Sequence, residues 1–148
     1  MPELNCYLTF NGNCKEVFDF YRSVFGGEFA ALSYFGDMPV QEGMPPLSEE
    51  QKNQVLHVSL PISKETILMG SDGGNQQPGG LIQGNNFAIS INTHSREEAD
   101  HFFNGLSAAG IITMPLQDTF WGAYFGMWTD KYGIQWMINF DDPAKVQS

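Results

Sequence analysis

Two stretches of the chain decide the fold, because they repeat one pattern. Residues 5–10 read NCYLTF and residues 86–91 read NFAISI, and each stretch is followed by apolar residues at helical i, i+3, i+4 and i+7 spacing. These residues are Val17, Phe20, Tyr21 and Val24 in the first copy and Ala99, Phe102, Phe103 and Leu106 in the second. Each copy therefore predicts a strand followed by an amphipathic helix, and a cavity between the two copies is the expected place of function.

Each copy continues with three further strands, so the order is strand, helix, strand, strand, strand. The first copy predicts helix 14–25 and strands 4–10, 28–35, 55–60 and 66–70; the second predicts helix 95–109 and strands 86–92, 111–117, 122–129 and 133–140. Gly26, Gly27 and Gly110 are expected to end the helices. The prediction is one α+β domain of tandem βαβββ modules, with module 1–70, linker 71–85, module 86–140 and tail 141–148, in which the loop 36–52 is long enough to act as a lid.

Composition narrows the classes of partner. The chain has 148 residues and a formal charge of -10, and its acidic residues are scattered, so neither nucleic acid nor an anionic membrane is an expected partner. No apolar run reaches the roughly 18 residues of a membrane span, and no export signal is recognised. With two cysteines, Cys6 and Cys14, and no disulfide pattern, a reducing cytoplasm is the expected location.

Alternation along the strands separates two faces in each predicted sheet. One set is uniformly apolar and is expected under a helix: Leu56, Val58, Leu60, Leu68, Trp128, Trp136 and Ile138. The other set is mixed and is expected to line a ligand cavity: Asn5, Tyr7, Thr9, His57, Ser59, Met69, Asn86, Ala88, Ser90, Phe125, Met127, Gln135 and Met137.

The mixed set has a functional and a structural interpretation. His57 is either a general base beside a carbonyl or a histidine bonded across the sheet. The hydroxyl groups would orient a polar ligand, and the methionines and Phe125 would contact apolar or planar groups, or these side chains simply fill the cleft. Trp121 is either a cavity rim or a packing residue between modules or subunits.

Several motifs together resemble a known family. YLTFNGNC at 7–14, FGDMP at 35–39, FWG at 120–122, TDKYG at 129–133 and WMIN at 136–139 resemble the PhnB-like branch of the vicinal oxygen chelate superfamily, which includes glyoxalase I, extradiol dioxygenases and bleomycin-resistance proteins. The resemblance implies a glyoxalase-like fold, in which the paired modules form a curved sheet around a cavity, and a homodimer. No glycine-rich nucleotide-binding turn accompanies it, so the methyltransferase label often given to this branch is not supported.

The resemblance also implies four metal-ligand positions. They fall on Asn5, with Cys6 as its rival, and on Met69, Asn86 and Met137. Two amides and two thioethers supply no charge for a hard or borderline divalent ion, so no metal and no other cofactor are expected.

The leading hypothesis is a protein that binds a small, largely apolar or aromatic molecule without a metal. One alternative is a metal-dependent lyase, isomerase or dioxygenase with a relocated ligand set that includes His57. Another is a sequestering protein of the bleomycin-resistance type, whose cationic ligands the negative charge would favour.

Overall fold

The chain folds into two compact units. The computed structural model describes residues 2–39, 43, 45–76 and 79–143. Unit 1 is Met1–Ile82 and unit 2 is Gln83–Ser148. In the described residues each unit has one long helix and one mixed four-stranded sheet, which confirms the α+β class and the βαβββ order of both halves. Parts of the predicted lid, linker and tail, at 40–42, 44, 77–78 and 144–148, lie outside the described residues.

Unit 1 places its long helix on one face of its sheet. Its elements are β1 (Cys6–Thr9), α1 (Cys14–Phe25), β2 (Ala31–Tyr34), α2 (Glu49–Lys52), β3 (Val55–Pro61) and β4 (Ile67–Ser71). The strand order is β1-β4-β3-β2, with β1 parallel to β4 and the other pairs antiparallel. Phe18 of α1 lies over Gly70, where an added Cβ would come within 2.6 Å of the Phe18 ring. Gly70 therefore marks the helix-covered face.

Unit 2 repeats this arrangement. Its elements are β5 (Ile89–Asn92), α3 (Arg96–Ser107), β6 (Ile111–Asp118), β7 (Ala123–Thr129) and β8 (Gln135–Asp141), in the order β5-β8-β7-β6. Phe103 of α3 lies over Gly126, where an added Cβ would be 2.9 Å from the ring. Trp128 and Trp136 stack beneath α3 with ring planes 4° apart. Gly126 therefore marks the helix-covered face of this sheet.

The first strand of each unit begins later than predicted, because its parallel partner also begins late. β1 begins at Cys6 because β4 begins at Ile67, and there the Asn5 side-chain oxygen, not a backbone carbonyl, accepts the Ile67 N–H at 3.1 Å. β5 begins at Ile89 because β8 begins at Gln135. Asn86 consequently lies in an exposed segment ahead of the strand on which it was expected.

The predicted alternation fails at one residue of β3. The pairing of β2 with β3 shifts between Ser33 and Tyr34, so that Ser33 pairs with His57 and Tyr34 with Val55. Leu56 is the extra residue of this β-bulge and is only half-buried, whereas Val55 is fully buried. The expectation that Leu56 packs under the helix is therefore wrong, and Val55 takes that place.

The end of α3 also differs from the expected glycine stop. The helix ends at Ser107, and Ala109, not Gly110, has a left-handed backbone with φ of 61°. A Cβ at residue 110 would overlap the Thr129 carbonyl oxygen. Gly110 is therefore needed because β7 packs closely against it. The positive φ is adopted instead by Ala109, the residue before it.

No helix among the described residues is long and apolar enough to cross a membrane.

Candidate functional site

Each sheet has one face that its own helix does not cover, here called the helix-free face. Directly paired residues share a face and neighbours along a strand alternate, so Gly70 and Gly126 fix which residues lie on which side. The helix-free face of unit 1 carries the row Tyr7, Met69, Ser59 and Ala31, together with Thr9, Ser71, His57 and Ser33. The predicted polar residues Tyr7, Thr9, His57 and Ser59 therefore share one face with Met69.

Tyr7 and His57 form the chemical centre of that face. Their ring centroids are 5.9 Å apart and their planes are inclined at 35°. Tyr7 is 48% exposed, while His57 is half-buried. The predicted orientation of His57 is thereby confirmed, because Val58 next to it pairs with Gly70 on the helix-covered face. A role of His57 as a general base stays a prediction.

The helix-free face of unit 2 is richer in sulfur and aromatic groups. Met114, Met127 and Met137 lie side by side on three adjacent strands, and Ser90 continues the row. Phe125 pairs with Asn139 in the next row, and Gln135 pairs with Thr129. The Gln135 amide donates to the Gly84 carbonyl oxygen at 3.1 Å, so it also fastens the segment before β5.

Met114 and Asn139 were not among the predicted site residues. Alternation along 111–117 is disturbed by Pro115, and the β6–β7 pairing shifts on both sides of Met114. Asn139 was missed although it continues the phase of Gln135 and Met137, which is the signal that points to it.

Two buried carboxylates are structural. Asp72, 3% exposed, accepts the N–H groups of Gly12 and Cys14 at 2.8 and 2.9 Å on Oδ1 and that of Val55 at 2.8 Å on Oδ2. Asp130, also 3% exposed, accepts from Tyr132 N, Ile134 N and Trp136 Nε1. These hydrogen bonds stabilise the fold, so neither carboxylate is a candidate general acid or base.

The two thiols are not poised as nucleophiles. Burial raises the pKa of Cys6, and burial together with the nearby Asp72 charge raises the pKa of Cys14. Both are free cysteines that hold their protons at neutral pH.

The four positions implied as metal ligands do not form a set suited to a divalent ion. Met69 and Met137 lie on the helix-free faces of different units, Asn5 is bonded to Ile67 N, and Asn86 is exposed ahead of β5. Cys6 pairs with Leu68 and so faces the helix side, which removes it as a rival to Asn5. Neutral amides and thioethers lack the charge and basicity that such ions need.

In the part of the chain that the structure describes, no three His, Cys, Asp or Glu side chains come together in a group that could hold a metal ion.

Comparison with known proteins places this fold in a family. The model of the glyoxalase/bleomycin resistance protein/dioxygenase superfamily matches residues 4–138. Protein YjdN of Escherichia coli K12 is 33% identical over 144 residues, which cover 94% of this chain and 95% of the relative.

Two solved structures have a similar fold. Protein PA1353 from Pseudomonas aeruginosa superposes with a TM-score of 0.79 at 37% identity, covering 95% of this chain and 98% of that one. A Bacillus cereus protein described as a putative 3-demethylubiquinone-9 3-methyltransferase, PhnB protein, has a TM-score of 0.70 at 24% identity, covering 94% and 99%, and shows likeness of fold alone. The chain therefore belongs to the glyoxalase/bleomycin resistance protein/dioxygenase superfamily, with PhnB-like neighbours.

Proposed function

We propose that this protein binds a small, largely apolar or aromatic molecule on its helix-free faces, without a divalent metal. The observation that carries the proposal is the row of Met114, Met127 and Met137 beside Phe125, all half-buried on a face that α3 does not cover. Thioether side chains are flexible and polarizable, and they make favourable contacts with aromatic rings. Such a row supports binding of a planar or irregular apolar group.

The helix-free face of unit 1 is a second, more polar candidate surface. Tyr7, Thr9, Ser59 and His57 offer hydroxyl and imidazole groups around Met69. A few polar groups on a largely apolar surface are typical of sites that orient a small ligand. We therefore expect a ligand of this face to carry at least one hydrogen-bonding group.

Metal independence rests on the donor chemistry of Asn5, Met69, Asn86 and Met137. We expect protein purified without chelator to contain no stoichiometric nickel, zinc or manganese at these side chains, and EDTA to leave ligand affinity unchanged. Elemental analysis and calorimetry with and without EDTA test this. One such ion per chain, lost in a Met69→Ala, Met137→Ala double variant, would overturn it and favour the metal-dependent enzyme.

The binding surface is tested by a thermal-shift screen of neutral aromatic compounds, 1-naphthol among them. Met127→Gln and Met137→Gln keep the side-chain length but place an amide in the row, and each should weaken the hits by roughly fivefold. Met38→Gln, an exposed methionine of unit 1, is the matched control and should change nothing. Hits that bind all three variants equally well would refute this surface.

His57→Gln separates the two interpretations of the histidine. If His57 acts on the ligand, the variant should lose binding or turnover and keep its melting temperature. If His57 only packs against Tyr7, the melting temperature should fall and binding should be nearly unchanged.

We also propose a cytoplasmic homodimer. Large apolar side chains such as Ile111 and Ile112 are 68% and 50% exposed in the single chain, which is the kind of surface that a second copy covers. Sedimentation velocity at micromolar concentration tests this, and a monomer alone would contradict it.

A further inference from the structure

The turn before β7 and the start of β7 together carry a group of three contacting aromatic rings. Phe120 is 98% exposed and Trp121 is 53% exposed, with ring centroids 5.0 Å apart and planes at 88°. Trp121 in turn meets Phe125 edge-on at 6.2 Å. Since Phe125 lies on the helix-free face of unit 2, the group extends the methionine row to the end of the sheet.

This turn is held in place by its backbone. Thr119 N donates to the Ala123 carbonyl oxygen at 2.8 Å, and Thr119 Oγ1 both donates to that oxygen and accepts from Ala123 N. Gly122 supplies the positive φ of 92° that the turn needs. The aromatic group is therefore presented on a closed turn, which lowers the entropy that a ligand must overcome on binding.

A carboxylate lies on the same face as Phe125, at the end of the sheet where the turn before β7 lies. Asp141 pairs with Ala123, and its Oδ1 accepts the Asn139 amide at 3.1 Å, so its side chain shares the face of Asn139 and Phe125. Asp118 and Asp142 at the same end are paired with Arg96. Asp141 is exposed, and none of the lysines and arginines in the described part of the chain lies within ion-pair distance of it.

We infer that Phe120, Trp121, Phe125 and Asp141 bind the ammonium group of a cationic aromatic ligand. Aromatic faces attract a quaternary or protonated amine, tryptophan most strongly, and the carboxylate supplies a full opposite charge. The chain's charge of -10 adds long-range attraction for cations. The inference rests on the proposed function, since it assigns a charge to one end of the molecule whose apolar part would lie on the methionine row.

The test compares benzyltrimethylammonium with neopentylbenzene, its uncharged carbon isostere. Calorimetry on the full chain should give at least tenfold tighter binding of the cation, weakening as sodium chloride is added. Acrylamide quenching provides an independent readout, because Trp128 and Trp136 are 1% exposed and Trp121 is the accessible tryptophan. The cation should protect Trp121 from the quencher.

Variants locate the site. Trp121→Leu should weaken the cation about tenfold and Asp141→Asn about fivefold, with little effect on the isostere. Phe87→Leu and Glu97→Gln replace an exposed ring and an exposed carboxylate elsewhere in unit 2 and should leave both affinities unchanged.

The outcomes separate this inference from the proposed function. Equal binding of the two probes, with Asp141→Asn silent, would overturn the ammonium site and leave the neutral apolar surface standing. Failure of the cation to protect Trp121 at about 10 mM would likewise overturn the ammonium site. The proposed function itself is decided by the neutral compounds and the Met127→Gln and Met137→Gln variants.

Discussion

Units 1 and 2 share a strand order but secure their helices by different means. In unit 1 the residue before α1, Asn13, makes no side-chain cap, and Asp72 from the far end of β4 accepts the Cys14 N–H instead. In unit 2 the local Ser95 caps α3 by accepting Glu98 N at 3.0 Å, and the buried Asp130 serves the β7–β8 turn. The same topology therefore tolerates different local stabilising groups, provided that the backbone N–H groups of each helix start and each tight turn find an acceptor.

The two helix-free faces differ as much as the caps do. Unit 1 presents Tyr7, His57 and hydroxyl groups, whereas unit 2 presents thioethers and phenyl rings. The residues that pack each sheet against its helix are thus different from those that line its helix-free face. The packing and the surface chemistry can therefore be tested separately.

The largest effect is expected at Asp72 in unit 1. Asp72→Ala removes the acceptor of two N–H groups at the start of α1 and of one at the start of β3, and should lower the free energy of unfolding by about 3–5 kcal/mol. Urea denaturation measures this. Asp19→Ala, at an exposed carboxylate of the same unit, should cost under about 1 kcal/mol. An equal loss of stability at both sites would contradict the structural role of Asp72.

Asp130→Ala should have the next largest effect and should act on unit 2. The change removes the acceptor of Trp136 Nε1 and of two turn N–H groups, at an expected cost of about 2–4 kcal/mol. Because Trp136 stacks on Trp128, near-ultraviolet circular dichroism should report the change directly. An unaltered tryptophan signal would show that the turn holds without this carboxylate.

Gly70→Ala and Gly126→Ala probe the helix–sheet contact that both units share. The new methyl group would meet Phe18 in unit 1 and Phe103 in unit 2, and overpacking of this kind costs about 1–3 kcal/mol. Gly70→Ala should cost more, because its Cβ would lie 2.9 Å from the Leu8 carbonyl oxygen, whereas the nearest backbone atom at Gly126 is the Leu116 Cα at 3.0 Å and the ring contact there is also longer. Thermal unfolding of both variants measures the order, and a smaller loss at Gly70 would contradict it.

The smallest effect concerns the pH dependence of unit 2. Tyr124 donates to Asp100 at 2.6 Å, and chiefly this bond raises the pKa of its phenol. The folded state then holds the proton more tightly than the unfolded chain, where tyrosine titrates near about 10, so this stabilisation is complete below about pH 10 and is lost as pH rises through the folded pKa. Tyr124→Phe and Asp100→Asn should both flatten the fall in stability above that pH. Unchanged slopes in pH-dependent urea unfolding would contradict this.

Sequence patterns predicted the elements well where periodicity is strong. Helix 14–25 matches α1 residue for residue, and the strands of both hairpins differ from the predicted ones by one or two residues at their ends. The faces of His57, Met69, Met127 and Met137 followed from simple alternation. These features depend on neighbours along the chain, which a periodic pattern records.

The predictions were wrong where contacts with residues far along the chain determine the local structure. The bulge at Leu56 is set by the register of β2, the late start of β5 by the point at which β8 begins, and the need for glycine at residue 110 by the Thr129 carbonyl group. The role of Asp72 likewise depends on distant partners, because Gly12 and Cys14 lie 60 and 58 residues away along the chain. Contacts between residues so far apart produce no periodic pattern in the sequence, so a single sequence does not predict them.

The Asp72 contact also has a consequence for the order of folding. Oδ1 bonds to the start of α1 and Oδ2 to the start of β3, so a single side chain joins the first helix of unit 1 to its last hairpin. Long-range closure of this kind slows folding, because the loop entropy is lost before the bonds are gained. A chain emerging from the ribosome up to residue 60 has the α1 segment but not its cap. Unit 1 should therefore acquire stable structure in one late step, after residue 72 is free to close the loop.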